Sequence, residues 1–150
     1  RLNRLQDSLM LFFTGFSRNA HDVAKEQIRI TKQKKRQLLQ MSELVDEGFQ
    51  ILIDPKRDID DFGKLLHEQW QIKRGITHLI TNDHIDEIYE AGIKAGALGG
   101  KLLGAGGGGF MIFYCQPERQ AELIKSLNGL LHVPFYFEHL GSQIIYYSHS

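Results

Sequence analysis

The sequence predicts an α+β fold in which one small, mostly antiparallel sheet is packed with helices. Apolar stripes at helical spacing fill most of the chain between residues 20 and 98. Short apolar or alternating runs of strand length lie at residues 9–13, 110–114, 132–139 and 143–147. Strands that do not alternate regularly with helices favour α+β over a parallel α/β sheet. The 150 residues suffice for one domain with a sizeable core, and we expect a single domain over 1–150.

The composition argues against several classes of partner. The chain is 42% hydrophobic and 24% charged with a formal net charge of zero, so global charge favours neither nucleic acid nor an anionic membrane. No apolar run approaches the ~20 residues that span a bilayer. The single cysteine, Cys115, excludes an intrachain disulfide, and we expect a cytoplasmic protein. Because the chain begins at Arg1 without a methionine or a signal peptide, we expect a fragment or a processed product.

The first half of the chain reads as a strand followed by long helices. Residues 9–13 form a buried strand, and a polar turn over 14–19 leads into a helix that Ser17 or Asn19 caps. The helical stripe continues, as one long helix or as two joined near residues 35–37, to a break at Asp54-Pro55. Basic residues crowd positions 29–36 without interleaved aromatic residues, which indicates a solvated helix face rather than a nucleic-acid patch.

The second half contains three further helices. Asp58 begins one, which ends at Gly75, a typical residue just after a helix. Asn82 caps the next, on which Gly92 and Gly96 lie in the apolar stripe and predict close backbone contact. The last helix begins at Pro117 and precedes the two predicted C-terminal strands.

A glycine-rich segment joins the second of these helices to the strand at 110–114. Seven glycines lie between residues 99 and 109, and glycine loses more conformational freedom on folding than any other residue. Backbone at positive φ, a close approach, or a concavity of N–H groups that suits an anion would explain them. A flexible linker is the alternative, but Leu102, Leu103 and Phe110 flank the loop, and linkers are polar.

The loop also matches G-x-G-x-x-G formally, which raises the alternative of a dinucleotide-binding oxidoreductase. That motif needs a strand before it and a helix after it. Here the helical pattern precedes the loop and the strand pattern follows it. A Walker A loop does not fit either, because no Gly-Lys-Ser/Thr closes the segment.

Four segments together carry a family resemblance. Lys-Leu-Leu-Gly-Ala-Gly-Gly-Gly-Gly-Phe at 101–110 is similar to the third signature motif of the GHMP kinases. The segments 12–20 (Phe-Phe-Thr-Gly-Phe-Ser-Arg-Asn-Ala), 62–70 (Phe-Gly-Lys-Leu-Leu-His-Glu-Gln-Trp) and 95–101 (Ala-Gly-Ala-Leu-Gly-Gly-Lys) resemble the heptose kinase branch of that family in order and spacing. The resemblance covers nearly the whole chain and the C-terminal part of the family.

The resemblance implies a ferredoxin-like C-terminal domain, with an N-terminal ATP-binding kinase domain as its partner outside this chain. It implies a full-length kinase that uses ATP and Mg²⁺ to phosphorylate D-glycero-D-manno-heptose 7-phosphate at the anomeric hydroxyl. The family's triphosphate-holding motif, Pro-x-x-x-Gly-Leu-x-Ser-Ser, follows none of Pro55, Pro117 and Pro134. We therefore predict no catalytic residue in this chain and an inactive fragment.

The candidate site residues follow from the loop and this resemblance. The predicted cofactor-binding residues are Gly104, Ala105, Gly106, Gly107, Gly108 and Gly109. The predicted substrate-binding residues are Ser17, Arg18 and Lys101. Arg18 lies near a helix N-terminus, where the helix dipole disfavours a cation unless the cation binds something else. Trp70 is a weaker candidate, because a large aromatic residue on an apolar helix face is usually core.

Other polar residues have simpler interpretations. Asp83, Asp86 and Glu87 fit a solvated helix start. No metal site is predicted, since Gln71 stands where His67-Glu68 would need a second histidine to complete H-E-x-x-H. A non-catalytic binding or interaction domain that keeps the kinase-type fold remains the alternative to a kinase domain.

Overall fold

The computed structural model describes residues 1–15, 20–144 and 146. Its helices are α1 (Leu2–Ser8), α2 (Ala20–Ile30), α3 (Lys35–Ile53), α4 (Asp61–Arg74), α5 (Asp83–Lys94) and α6 (Gln120–Ser126), the last preceded by a 3-10 turn over Pro117–Arg119. Its strands are β1 (Leu9–Phe13), β2 (Gly99–Leu102), β3 (Phe110–Tyr114) and β4 (Leu131–His132). The long helical stretch therefore lies between the first strand and the other three.

The four strands form one sheet in the order β2-β3-β1-β4, and all neighbours are antiparallel. The central pair, β1 and β3, is in register from Leu9 opposite Tyr114 to Phe13 opposite Phe110. β2 and β3 form a hairpin that the glycine-rich segment closes. The predicted α+β class and the mostly antiparallel sheet are confirmed.

Two clusters of buried side chains form the core. The larger contains Trp70 and Phe113, and the smaller contains Ile51, Ile59 and Tyr114. Successive strand residues point to opposite faces of a sheet, so the neighbours Phe113 and Tyr114 carry the two clusters on opposite sides of β3. Burying such side chains is the main favourable contribution to folding.

Glycines allow the helices to approach the sheet. A Cβ built on Gly92 of α5 would lie 2.5 Å from Phe113 Cζ. A Cβ on Gly99 of β2 would collide with the carbonyl oxygen of Gly63 and lie 2.7 Å from the amide nitrogen of His67, both on α4. The close contact predicted for Gly92 is confirmed, and α4 packs against the edge strand β2 at backbone distance.

The structure confirms several predicted elements. β1 and β3 have the predicted bounds, and the long helical stretch is two helices whose break lies just before residue 35. Asn82 caps α5 by accepting a hydrogen bond from the Ile85 amide at 3.0 Å. Gly75 directly follows the last residue of α4, as predicted, and has a φ of −82°.

The prediction of two C-terminal strands is wrong. Of the predicted strand at 132–139, only the start lies in the short β4, and none of the described residues at 143–147 is in a strand. Pro134 has no N–H to continue the ladder. Instead, the Gln6 side chain holds the extended segment by donating to the Phe135 carbonyl at 3.1 Å and accepting from the Phe137 amide at 2.7 Å.

Two elements were not foreseen. α1 begins the chain, and β2 lies in the stretch that contains Gly99 and Gly100, where strand propensity is low. The loop is therefore preceded by a strand and not directly by a helix. A strand also follows it, so the strand-loop-helix order of a dinucleotide-binding fold is absent at this loop.

Candidate functional site

The glycine loop connects β2 to β3 with a left-handed backbone. The φ angles are +74° at Gly104, +123° at Gly106, +82° at Gly107, +150° at Gly108 and +110° at Gly109. Residues with a Cβ rarely adopt such angles. The loop needs glycine at these positions for conformation, as the sequence indicated.

One side of the loop is anchored to the connection between α4 and α5. The Gly107 amide donates to the Ile80 carbonyl oxygen at 2.8 Å. A Cβ built on Gly106 would lie 2.7 Å from Ile80 Cα and 3.0 Å from its carbonyl oxygen. Glycine is thus required at position 106 for space as well as for conformation.

The other side of the loop is anchored to the end of β1. The Thr14 hydroxyl accepts from the Gly109 amide and donates to the Gly109 carbonyl, both at 3.0 Å, and the Thr14 side chain is buried. The His84 ring at the start of α5 contacts the Thr14 carbonyl oxygen at 3.2 Å. Ser17 and Arg18, the predicted sugar-phosphate contacts, lie outside the described residues.

Two side chains hold carbonyl groups near the start of the loop. Gln27 of α2 donates through Nε2 to the Ala105 carbonyl oxygen at 2.7 Å. Lys73 in the last turn of α4 donates through Nζ to the Gly104 carbonyl oxygen at 2.6 Å. Segments far apart in the chain therefore converge on one loop.

These anchors leave several N–H groups of the loop without a protein acceptor, of which that of Gly104 lies on an exposed residue and that of Gly106 on a buried one. Within the described residues, the N–H groups of Gly104, Ala105, Gly106 and Gly108 donate to no backbone acceptor and to no side chain. Successive N–H groups in left-handed backbone form concavities that bind anions. The anion-binding role of the loop stays a prediction, and these N–H groups are the donors on which it depends.

Lys101 lies on β2, just before the loop. Its ammonium group donates to the Gln69 Oε1 atom of α4, and burial lowers the pKa of Lys101 below its ordinary value. Burial also lowers the pKa of Lys73 to about 8, and the nearby positive charge of Lys101 adds to this effect. The two lysines bring positive charge to the same edge of the sheet as the loop.

Sequence reasoning missed Thr14, Gln27 and Lys73 as loop contacts. Lys73 lies in the last turn of α4, where a cation is favourable whether or not it contacts the loop. Thr14 and Gln27 contact the loop across 95 and 78 residues of sequence. No local pattern signals contacts of that kind, although the glycine loop itself shows that something must approach it.

The weaker candidates have structural roles. Trp70 is fully buried in the larger core cluster. Asp86 accepts from the Thr81 hydroxyl at 2.7 Å and pairs with Arg74 at 3.1 Å, so it is more than a solvated helix start. Among the residues with described positions, no three His, Cys, Asp or Glu side chains are grouped to hold a metal ion.

Comparison with known families decides the classification. The sequence profile of the family described as GHMP kinases C terminal matches residues 49–128, more than half of the chain. The chain belongs to this family. The matched region of the GHMP kinase domain begins in α3 and contains α4, α5, the glycine loop and α6.

Individual relatives agree with this classification. The chain is 30% identical over 126 residues to D-glycero-alpha-D-manno-heptose 7-phosphate kinase of Campylobacter jejuni. The matched stretch covers 83% of this chain and 37% of that protein. The chain is 26% identical over 128 residues to the bifunctional fucokinase/GDP-fucose pyrophosphorylase of Arabidopsis thaliana, covering 83% of this chain and 12% of that protein. This GHMP kinase chain therefore spans less than half the length of either relative.

A solved structure supports the fold. The mevalonate kinase of Methanococcus jannaschii superposes with a TM-score of 0.73 at 23% identity, over 87% of this chain and 40% of that one. The expected GHMP C-terminal fold is confirmed. Among the helices in the described ranges, none has the length and apolar character needed to traverse a lipid bilayer.

Proposed function

We propose that this chain is the C-terminal domain of an ATP-dependent sugar kinase that phosphorylates D-glycero-D-manno-heptose 7-phosphate at its anomeric hydroxyl. The observation that carries the proposal is the 30% identity, over 126 residues, to a kinase named for that substrate. The anchored loop, with N–H groups at Gly104, Ala105, Gly106 and Gly108 that donate to no backbone acceptor, fits a role beside transferred phosphate.

Phosphoryl transfer depends mainly on positioning and on charge stabilisation. In the proposed division of labour, this domain supplies the rigid glycine loop and the cations beside it. An N-terminal kinase domain of the full-length protein supplies the triphosphate-holding loop and the catalytic groups. We assign no step through Mg²⁺ to this domain. We place the enzyme in the cytoplasm, where ATP is available.

The test is an assay of ADP release from ATP and Mg²⁺ with D-glycero-D-manno-heptose 7-phosphate as acceptor. It compares the 150-residue chain with the natural reading frame that contains it. We expect turnover by the longer protein and none by the chain alone, because the chain lacks the family's triphosphate motif. Fucose and mevalonate serve as matched acceptors, since relatives of this chain include a fucokinase and mevalonate kinases.

Each outcome has a clear meaning. Turnover of fucose or mevalonate in preference to the heptose phosphate would move the protein to another branch of the family. Absence of turnover with all three acceptors would favour the alternative, a non-catalytic domain that binds ligands with a kinase-type fold. Turnover by the 150-residue chain itself would contradict the division of labour proposed above.

A further inference from the structure

Lys73 and Lys101 are two half-buried cations that lie close to each other. Within the described residues neither ammonium group forms an ion pair. Lys101 donates to the Gln69 amide oxygen, and Lys73 donates to the Gly104 carbonyl oxygen at 2.6 Å and approaches the Leu102 carbonyl oxygen at 3.5 Å. Their partners are therefore all neutral oxygens.

The two lysines occupy one place in the fold. Gln69 and Lys73 lie one turn apart on α4, and such residues share a helix face. That face lies along β2, since Lys101 contacts Gln69 and Lys73 contacts the carbonyl at the end of the strand. The Lys73 ammonium group therefore lies next to the exposed first glycine of the loop, Gly104, and the Lys101 ammonium group lies one turn of α4 away, against Gln69.

This arrangement is unfavourable without a counter-charge. Removing a charge from water costs free energy unless it is paired, and two like charges near each other add to the cost. The half-buried Arg74, one residue further along α4, does have an acidic partner, since it pairs with Asp86 at 3.1 Å. The sequence does not lack carboxylates, since it has 18 acidic residues, yet none faces this pair among the described residues.

From this geometry we propose that Lys73 and Lys101 form a subsite for a phosphoryl group at the entrance to the glycine loop. The proposal deepens the proposed kinase function and rests on it for the source of the ligand. The chemical class is a phosphate of multiple negative charge, carried by a phosphorylated sugar or by a nucleotide. Lysine ammonium groups bind phosphate as point charges, and the N–H groups of Gly104 and Ala105 are donors in the same place.

The subsite can be tested on this chain without any catalysis. Isothermal titration with inorganic phosphate and with tripolyphosphate, at constant ionic strength in chloride, measures binding directly. We expect Lys73→Met and Lys101→Met each to raise the dissociation constant about tenfold or more, because a charge-assisted hydrogen bond contributes about 1.5–3 kcal/mol. Lys73→Arg keeps the charge and should bind nearly as well as the wild type.

Lys125→Met is the matched control, because it removes an exposed lysine in the last turn of α6. It should bind phosphate like the wild type, and circular dichroism confirms that each variant is folded. Equal affinities for the wild type, Lys73→Met and Lys101→Met would overturn the subsite. Failure of the wild type to bind either anion would overturn it as well, whatever the kinase assay shows.

Steady-state kinetics of the full-length kinase distinguish a sugar phosphate from a nucleotide phosphate as the ligand of the subsite. If the subsite holds the phosphate of the sugar, Lys73→Met raises KM for the sugar phosphate and leaves KM for ATP unchanged. If it holds a nucleotide phosphate, KM for ATP rises instead. A wild-type full-length protein without turnover contradicts the kinase function, while the anion titration still decides the subsite independently.

Discussion

Thr14 and Gly109 form a two-way hydrogen-bonded pair. The Thr14 hydroxyl donates to the Gly109 carbonyl oxygen and accepts from the Gly109 amide at 3.0 Å in each case, and the Thr14 amide donates to the same carbonyl at 2.9 Å. The end of β1 is thereby joined to the end of the glycine loop. Because Thr14 is buried, these bonds are made away from water, where an unpaired group is costly.

Replacing Thr14 by valine should destabilise the fold. Valine is close to threonine in shape but leaves the Gly109 amide without its acceptor, and a buried unsatisfied donor costs about 1–3 kcal/mol. Thr14→Ser keeps the hydroxyl and is the matched control. Urea denaturation gives the free energy of unfolding of each variant. If the valine and serine variants were equally stable, the pair would not hold the loop.

Gly106 and Gly109 separate the effect of space from the effect of conformation. Both have positive φ, +123° and +110°. A Cβ built on Gly106 would lie 2.7 Å from Ile80 Cα, whereas a Cβ built on Gly109 would have no heavy atom within 4 Å. Conformational strain is thus similar in Gly106→Ala and Gly109→Ala. We expect the first to lose about 1–3 kcal/mol more, as overpacking does. Equal losses by urea denaturation would show that the loop can move away from Ile80.

Gly99 should be among the positions least tolerant of a methyl group. Gly99→Ala would place Cβ 2.7 Å from the His67 amide nitrogen, against backbone that cannot rotate away as a side chain can. Gly48 lies in α3, where Cβ would meet the Leu65 side chain at an ordinary 3.8 Å. In thermal unfolding, Gly99→Ala should lower the midpoint temperature. Gly48→Ala should raise it, because alanine in a helix stabilises the fold by up to about 1 kcal/mol relative to glycine. Equal midpoints for the two variants would contradict the close packing of α4 on β2.

The lowered pKa of Lys73 predicts a rise of stability with pH. Its pKa is about 8 in the folded chain, against an ordinary value of 10.5. Between these values the unfolded chain binds more protons, so the free energy of unfolding increases as the pH rises from 8 towards 10.5. The stability that deprotonated Lys73 contributes is fully present above pH 10.5 and is lost as the pH falls through 8.

Two substitutions isolate this contribution. Lys73→Met has no proton to lose, and Lys73→Arg keeps its proton throughout the range. Relative to either variant, the wild type should gain stability from pH 8 to pH 10 in urea titrations. Parallel curves for the wild type and both variants would show that Lys73 titrates normally. Saturating phosphate should suppress the gain if the proposed subsite holds, because an anion favours the charged lysine.

Regular patterns predicted the parts of the fold that depend on neighbouring residues. The stripe on α5, its Asn82 cap and the apolar strand β3 are all local signals, and the structure confirms them. β2 escaped prediction because Gly99 and Gly100 are typical of loops. In the structure Gly99 faces the backbone of α4 and Gly100 faces Phe113, and neither position has room for a Cβ. The alternating pattern after β4 predicted a strand paired with a neighbouring strand. Instead, the side chain of Gln6 makes hydrogen bonds to the backbone of this extended segment.

The candidate site divides in the same way. The glycine loop is visible in the sequence because glycine at positive φ is a local requirement. The roles proposed for Lys101 and for the loop glycines remain predictions. The contacts of Gln27 and Lys73 with the loop depend on the packing of α2 and α4, which spacing along the chain does not encode.

The pairing of β1 with β3 also bears on how quickly the chain can fold. Thr14 and Gly109, at the end of this pair, are 95 residues apart, so the central strands meet only after a very long loop has closed. Closing a long loop costs chain entropy before any strand contact repays it, and folds rich in distant contacts fold slowly. The helices between the two strands form from local contacts, and early helix growth would shorten the distance to be closed. Stopped-flow refolding should therefore show helical circular dichroism before the burial of Trp70, and simultaneous signals would contradict this order.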